Sequence, residues 1–323
     1  MAGFIRQINA LRESVGTEER VNALEREMDQ LYDSGVSAMA DISNCDESFS
    51  KKSKSPMYTR TFLEVFGSEP KDCENVMQNV EILHQRAITF GIDAAPTPHS
   101  CYTMSPNLNK ASSREALKEG YLSYHNQESW EEEELIKTGT GPLADDYRGR
   151  GLSTPPVTGK SALTYFMDNI SEIWKSDKRR IQEHILLVHN TATNEESIDY
   201  AMAIAENLYW AICPLSNMFI HRSLPPLELM RRKGCTITLG TDSLSSNKVL
   251  SMVEEIKLLH RYFPTIPLNE ILGWATLNGA KFLGKDNNLG TLSVGKKPGV
   301  VLIEGIDWEK MQLNNNSRSK RLV

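Results

Sequence analysis

Short apolar stretches alternate with longer stretches of helical periodicity along the chain. Seven apolar or β-branched stretches predict strands: 36–43, 57–66, 92–99, 121–128, 184–191, 208–216 and 236–243. Between them, helical spacing of apolar residues predicts helices that include 18–35, 73–91 and 246–263. The strand stretches are continuously apolar rather than alternating, which is typical of parallel strands buried on both faces. Strands that alternate with helices in this way predict parallel β/α units.

Seven β/α units indicate an eight-stranded barrel of the TIM type in which one strand is unaccounted for. The competing fold is an open doubly wound sheet, but neither a GxGxxG nor a GxxxxGKS/T motif follows an early strand. The chain opens in a helical pattern at 4–13, so the unaccounted strand is the first one. After the last helix, residues 289–303 predict two short strands around a Gly-Lys-Lys-Pro-Gly turn.

Composition and charge narrow the class of protein. The 323 residues carry 36 Lys and Arg against 42 Asp and Glu, and the net charge of -6 argues against a nucleic-acid-binding surface. No apolar run approaches the ~18 residues that span a bilayer, and no signal-peptide pattern follows Met1. The five cysteines form no CxxC pair, which argues against a disulfide framework and a thiolate zinc site. We expect a cytoplasmic globular protein without a nucleic-acid or membrane partner; a homodimer stays open.

Four polar residues end four different predicted strands, and in a parallel barrel the chemistry gathers at those ends. They are His99, His125, His189 and Asp242. Any one of them has an ordinary structural explanation, such as an Asp that caps the next helix. Four together indicate a site, because imidazole and carboxylate suit Zn²⁺ or Fe²⁺ and an open coordination position can activate water.

Glu128 lies just past the strand that carries His125, where it could move protons from that water to a leaving group. A carboxylate in the first turn of a helix is the structural alternative for Glu128. Three other histidines lie in helix patterns or at a strand start, and we expect them to be structural: His84, His184 and His260.

Several motifs resemble the amidohydrolase superfamily, in the branch that holds the cytosine, guanine and S-adenosylhomocysteine deaminases and the triazine chlorohydrolases. They are HNQES (125–129), VHNT (188–191), CPLSN (213–217), LGTDSLSSN (239–247), PHSCYTMSP (98–106) and the closing segment 271–303. FLEVFG (62–67), with Arg60 nearby, resembles the third strand of aminodeoxyfutalosine and nucleoside deaminases. The resemblance covers nearly the whole chain.

The resemblance implies a TIM-type (β/α)₈ barrel over 1–284 and part of a small β-sandwich over 285–323. It makes His125 and Asp242 ligands of one divalent metal, Zn²⁺ with Fe²⁺ as the alternative. His189 would ligate that metal or hydrogen-bond the water on it. Glu128 becomes the proton shuttle, Asp242 also takes a proton from the attacking water, and His99 contacts the substrate.

The chain departs from the family at its beginning. The family's first strand ends in His-x-His, this chain contains no such pair, and Met1 falls where the helix after that strand should begin. We therefore expect a barrel lacking its first strand. Either a longer chain carries the missing strand, or this is a short paralogue. With only two or three ligands, the site is expected to bind metal poorly, and the activity of the chain as given is in doubt.

The resemblance predicts hydrolytic deamination of a purine-like, pyrimidine-like or nucleoside-like compound, with an aminodeoxyfutalosine-type nucleoside indicated by 62–67. One alternative is a chlorohydrolase or amide-ring hydrolase that uses the same residues. Another is an inactive fragment or pseudoenzyme that serves as a scaffold because the His-x-His strand is missing. Residues 138–158 form a Gly- and Pro-rich loop that is either a lid or a surface excursion.

Overall fold

The computed structural model describes residues 1–12, 15–174 and 180–323, and two parallel sheets form its centre. Their strands are β1 (Ala38–Ser43), β2 (Tyr58–Val65), β3 (Asp93–Pro98), β4 (Tyr121–Asn126), β5 (His184–His189), β6 (Leu208–Ile212) and β7 (Thr236–Leu239). Each predicted strand stretch contains one of them. The predicted α/β class with parallel sheets is therefore confirmed.

Helices precede the first strand and connect the others. They are α1 (Ala2–Arg12), α2 (Thr17–Ser34), α3 (Phe49–Lys52), α4 (Cys73–Thr89), α5 (Pro106–Lys118), α6 (Trp130–Thr138), α7 (Pro142–Gly149), α8 (Ala162–Ile173), α9 (Glu195–Ile204), α10 (Pro214–Ile220), α11 (Leu227–Arg232), α12 (Met252–Tyr262), α13 (Leu268–Gly273) and α14 (Gly279–Phe282). A short 3₁₀ helix (Pro70–Asp72) precedes α4, and a π-helix (Trp274–Asn278) follows α13. Within the described parts of the chain, no helix is both long and apolar enough to cross a membrane.

Most predicted helices match observed ones. The predicted helices at 18–35 and 73–91 are α2 and α4, and the pattern at 4–13 is α1, except that residue 13 lies outside the described residues. The predicted helix at 246–263 begins later, at Met252, because the hydroxyl of Ser251 accepts from the N–H of Glu254 and caps it.

The first sheet has the order β1-β2-β3 and the second the order β4-β5-β6-β7. Their edges β3 and β4 are joined by hydrogen bonds. Ser123 N–H donates to Thr97 Oγ1 (3.0 Å), whose hydroxyl donates to Ser123 O (2.7 Å), and His125 N–H donates to His99 O (2.8 Å). Both strands advance in the same direction through these bonds. The carboxyl ends of the two sheets therefore meet at one edge.

The apolar strands pack on both faces, as their continuous hydrophobic pattern predicts. In β5, Ile185 and Leu187 join the large cluster beneath the helices, whereas Leu186 and Val188 join a second cluster on the other face. Phe282 of α14 belongs to that second cluster and stacks on Phe62 of β2, with ring centroids 5.9 Å apart. Burial of both faces explains why no polar alternation was visible in the sequence.

Two predicted strands extend four residues too far. The predicted strand 208–216 ends at Ile212, because Pro214 occupies the first turn of α10, where its missing N–H costs no hydrogen bond. The predicted strand 236–243 ends at Leu239, and the chain then turns through Asp242, whose φ is 57°. Both errors place loop or helix residues inside a strand, at the end where the candidate site residues lie.

The C-terminal strand pair is also misplaced in the prediction. No strand forms over 289–300; instead β8 (Val301–Asp307) pairs antiparallel with β9 (Gln312–Arg321). The polar sequence of β9 carries no strand signal of its own, and β8 supplies its backbone partners. The Arg321 guanidinium donates to the carbonyls of Tyr32 and Val36 and lies over the Tyr32 ring, which ties this hairpin to α2. That 285–323 forms part of a β-sandwich stays a prediction.

The hairpin also contacts α12, through a histidine that can titrate. Nδ1 of His260 accepts from the N–H of Leu313 at 3.0 Å, and burial lowers the pKa of His260. As pH falls through about 6.5, the unfolded chain takes up a proton that the folded chain resists. The stability that depends on neutral His260 is therefore present at pH 7 and lost as the solution is acidified.

We predict that the free energy of unfolding falls less steeply between pH 7 and pH 5.5 in His260→Gln than in the wild type. The amide oxygen can accept the same bond without titrating, so the variant should differ by only about 1 kcal/mol at pH 7. Urea unfolding at several pH values measures both. His84→Gln, on α4, is the control and should keep the wild-type slope. An unchanged slope in His260→Gln would show that this bond does not carry the pH dependence.

Candidate functional site

Three histidines form a row at the carboxyl edge of the sheets. His99 directly follows β3, His125 lies in β4 and His189 ends β5. The rings of His99 and His125 stack with centroids 4.5 Å apart, and those of His125 and His189 lie 5.4 Å apart. Each strand of a parallel set delivers its last residues to the same edge, which is why these side chains meet. The structure thus brings together three residues that the sequence singled out.

Hydrogen bonds orient the two outer rings of the row. His99 Nδ1 lies 2.8 Å from both Ser100 Oγ and Thr103 Oγ1, which leaves Nε2 free to face the centre of the site. His189 Nδ1 lies 3.0 Å from Asn217 Oδ1, and the amide of Asn217 also donates to Thr191 Oγ1 (3.0 Å). The backbone of His189 has a φ of 75°, a left-handed value that a non-glycine residue adopts at a cost and that is common at functional sites.

Glu128 lies beside the row and is almost fully buried. Its Oε1 is 3.8 Å from His189 Nε2 and 3.5 Å from His221 Nε2, and its Oε2 accepts from the hydroxyl of Tyr102 (3.2 Å). Burial alone would raise the pKa of Glu128, but the imidazoles of His189 and His221, together with that of His125, hold it below its usual range. The carboxyl group is therefore ionised at neutral pH, with polar partners on both oxygens.

Residues 138–158, predicted as a loop, contact the tyrosine that donates to Glu128. They contain α7, and the Tyr147 hydroxyl on that helix donates to the carbonyl of Tyr102 at 2.5 Å. Leu143 and Ala144 of α7 belong to the same apolar cluster as Tyr102. The loop thus contacts the residue that donates to Glu128.

Asp242 lies three residues past β7 and is held by three donors. Its Oδ2 accepts from the hydroxyls of Ser216 (2.6 Å) and Ser246 (2.7 Å), and its Oδ1 accepts from the N–H of Ser243 (2.7 Å). The negative charge of Asp242 also acts electrostatically on His189. Burial lowers the pKa of His189, but Glu128 and Asp242 outweigh it and raise that pKa above its ordinary value. Asp242 is thus electrostatically part of the same site.

Two residues that the sequence analysis did not single out also belong to the site. Glu64, near the end of β2, has its Oε1 3.4 Å from His125 Nδ1 and 4.0 Å from His99 Nε2. Burial and the charges of Asp242 and Glu128 raise the pKa of Glu64 to about 8. The strand-end rule that selected the histidines could have found Glu64. His221 follows α10, where no such rule applies.

Glu64, His99 and His125 form a group that could hold a metal ion. One ligand atom from each lies within 4.8 Å of the others. One carboxylate oxygen and two imidazole nitrogens are donors that suit Zn²⁺ and related divalent ions. At the opposite end of the strands, His184, at the start of β5, bonds through Nδ1 to the carbonyl of Phe282.

Comparison with known proteins identifies relatives. The model of the amidohydrolase family matches residues 11–321. The aminodeoxyfutalosine deaminase of a Nitratiruptor species is 28% identical over 289 residues, which cover 87% of this chain and 67% of that protein.

Two solved structures share the fold. The Helicobacter pylori aminofutalosine deaminase in complex with methylthio-coformycin superposes with a TM-score of 0.73 at 24% identity, covering 86% of this chain and 66% of that one. The atrazine chlorohydrolase of Arthrobacter aurescens TC1 complexed with zinc superposes with a TM-score of 0.66 at 16% identity, covering 91% and 66%. The chain therefore spans about two thirds of the length of the proteins it resembles.

We predict that Asn217→Leu lowers the free energy of unfolding by about 1–3 kcal/mol, because it leaves the buried polar atoms of His189 and Thr191 without their partner. Urea unfolding at pH 7 measures the change. Asn315→Leu, at an exposed position in β9, is the control and should stay within about 0.5 kcal/mol of the wild type. Equal stability of the two variants would show that Asn217 does not hold the His189 ring.

Proposed function

The chain belongs to the amidohydrolase family, and on that basis we propose that it is a metal-dependent hydrolase that removes an amino group from a purine-like, pyrimidine-like or nucleoside-like ring. The observation that carries the proposal is the buried, ionised Glu128 beside the imidazoles of His125 and His189. The Nitratiruptor relative is named an aminodeoxyfutalosine deaminase, which makes a nucleoside of that type the first substrate to test.

The fold proposed for this function is a (β/α)₈ barrel of the TIM type. Its seven parallel strands would be β1 to β7, and the eighth would lie between β7 and β1. In the part of the chain that the structure describes, β1 pairs only with β2 and β7 only with β6, so both edges are open to a further strand. An eighth strand there would close the wall around the cluster that contains Phe62 and Phe282.

The proposed metal ligands are His125 and Asp242, with His189 either as a third ligand or as a hydrogen-bonding partner of the water. The residues present fit such an ion, since a buried carboxylate oxygen without a hydrogen-bond partner, Glu64 Oε1, lies against His125. Zn²⁺ is preferred because a protein of the same fold is complexed with zinc, and Fe²⁺ is the alternative. The ion supplies Lewis-acid chemistry, which makes water a usable nucleophile at neutral pH.

The residues of this chain would then move the protons. The attacking water would give its first proton to the ionised carboxylate of Glu128, which would pass it to the ring nitrogen next to the carbon under attack. The second proton of that water would go to Asp242, whose carboxylate is held in place by Ser216 and Ser246, and from there to the amino group, which leaves as ammonia. Tyr102 fixes one oxygen of Glu128 during this transfer. His99, at the outer end of the row, would contact the substrate.

A second candidate function, release of chloride from a halogenated triazine, is favoured by the shared fold with the atrazine chlorohydrolase. The same proton-moving residues would serve it, because only the leaving group differs. A non-enzymatic scaffold is the third candidate. The products that the protein releases, ammonia, chloride or neither, distinguish the three candidate functions.

The test is ammonia release from a panel of aminated bases and nucleosides, with chloride release from halotriazines and bound metal measured in parallel. We predict that Glu128→Gln lowers kcat for deamination by about 10²–10⁴-fold while metal content stays the same, because the amide cannot transfer a proton. Glu134→Gln, exposed on α6, is the control and should keep full turnover.

Each other result has a defined meaning. Unchanged turnover in Glu128→Gln would remove that residue from the mechanism. Chloride without ammonia would favour the chlorohydrolase, and metal binding without any product would favour the scaffold.

A further inference from the structure

The ring of His221 has a buried nitrogen that no hydrogen bond satisfies. Its Nε2 is shielded from solvent and, among the residues that the structure describes, has no hydrogen-bond partner. Leaving a buried polar atom without a partner is costly, so each such atom in a native protein calls for an explanation. Oε1 of Glu128 lies 3.5 Å from this nitrogen, and less than a tenth of either side chain is exposed. The two groups therefore face each other away from water.

Helix α10 brings His221 to this position. Asn217 and His221 are four residues apart, so they share one face of the helix, and the N–H of His221 donates to the carbonyl of Asn217 at 2.9 Å. The amide oxygen of Asn217 holds Nδ1 of His189, whose Nε2 lies 3.8 Å from Oε1 of Glu128. One turn of α10 thus fixes both imidazoles that flank the same carboxylate oxygen.

The two imidazoles differ in what they can give to Glu128. The amide nitrogen of Asn217 donates to Thr191, so its oxygen is the acceptor that faces His189, and Nδ1 of His189 carries the proton. When the His189 ring is neutral, its Nε2 therefore has a lone pair and cannot donate to a carboxylate. Nδ1 of His221 has no such acceptor to hold its proton. His221 is the imidazole that can supply a donor to Oε1.

The other oxygen of Glu128 already has a donor. The hydroxyl of Tyr102 donates to Oε2 at 3.2 Å. A carboxylate that is held at one oxygen can still turn about that bond, whereas a second donor at Oε1 fixes its plane. The 3.5 Å between His221 and Oε1 is longer than the usual N–H···O distance of about 2.7–3.2 Å, so a movement of about 0.3 Å by either side chain forms the bond.

We propose that His221 is a positioning residue, which donates its Nε2 hydrogen to Oε1 of Glu128 and keeps that carboxylate turned towards the histidine row. The inference rests on the proposed function for the reaction that Glu128 serves. It deepens that function by adding a residue that lies at the end of α10, outside every strand. Because an ionised carboxylate can only accept, the contact requires a proton on Nε2.

The kinetic test compares two substitutions of His221. His221→Leu should lower kcat for ammonia release by about 10–100-fold with KM unchanged, because a misdirected carboxylate slows proton transfer without weakening substrate binding. His221→Gln should retain most of the wild-type kcat, because its amide can donate to the same oxygen. A role in packing alone would not separate kcat from KM in this way.

The controls exclude general damage to the protein. His84→Leu, which changes a histidine on α4, should keep the wild-type kcat. Circular dichroism checks that each variant is folded, and bound metal is measured in each, since loss of metal would also lower kcat.

Nuclear magnetic resonance tests the contact without any substrate. In protein whose histidine rings carry ¹⁵N, the ring C–H protons couple to both nitrogens, so the nitrogen shifts report which one is protonated. The signals missing from His221→Gln identify His221. At pH 7 its Nε2 should be protonated, and Glu128→Gln should shift that signal, because a neutral amide is a weaker acceptor than a carboxylate. The signals of His84 should stay in place.

The results distinguish this inference from the proposed function. Ammonia release by the wild type, with equal kcat in His221→Leu and His84→Leu, would overturn the role of His221 and leave deamination standing. Equal losses in folded His221→Leu and His221→Gln would also overturn it, as would an Nε2 without a proton. If the wild type releases no ammonia from any compound, deamination fails. The Nε2 signal then still decides the contact, since a response to Glu128→Gln supports it and an unchanged signal overturns it.

Discussion

The strands of both sheets run in one direction, and the site depends on that constraint. Parallel pairing delivers the carboxyl end of every strand to the same edge, so side chains far apart in the chain, such as Glu64, His125 and His189, become neighbours. The join between the sheets, through Thr97 and Ser123, extends the edge from three strands to seven. A protein built of hairpins would send alternate strand ends to opposite edges and could not gather these residues.

The electrostatics of the site follow from burying several charges in a small volume. Glu128 has its carboxylate among imidazoles, and their attraction outweighs the cost of burial. The opposite holds for Glu64, because the charges of Asp242 and Glu128 add to the cost of burying its carboxylate and raise its pKa. The pKa values of two carboxyl groups at the same edge are therefore shifted in opposite directions. Glu128 is ionised at neutral pH, whereas Glu64 keeps its proton there.

The polar residues around the site keep its reactive groups in one orientation. Asn217 holds His189, two serines hold Asp242, and Tyr102 holds Glu128. These supports come from the connections after the strands rather than from the strands themselves. Such connections can change between relatives while the sheets stay the same, which is how one fold supports different leaving groups and substrates.

The sequence by itself determined the parallel α/β class, the seven strands and the residues at their ends, because continuous apolar runs and strand-end histidines are local signals. It did not determine the partner of β8, since β9 is polar and becomes a strand only by pairing. Glu64 lay inside a recognised strand, yet its importance depends on two histidines from other strands. His221 had no local signal. Only the tertiary structure could decide these points, because each depends on distances between groups that the sequence does not place near one another.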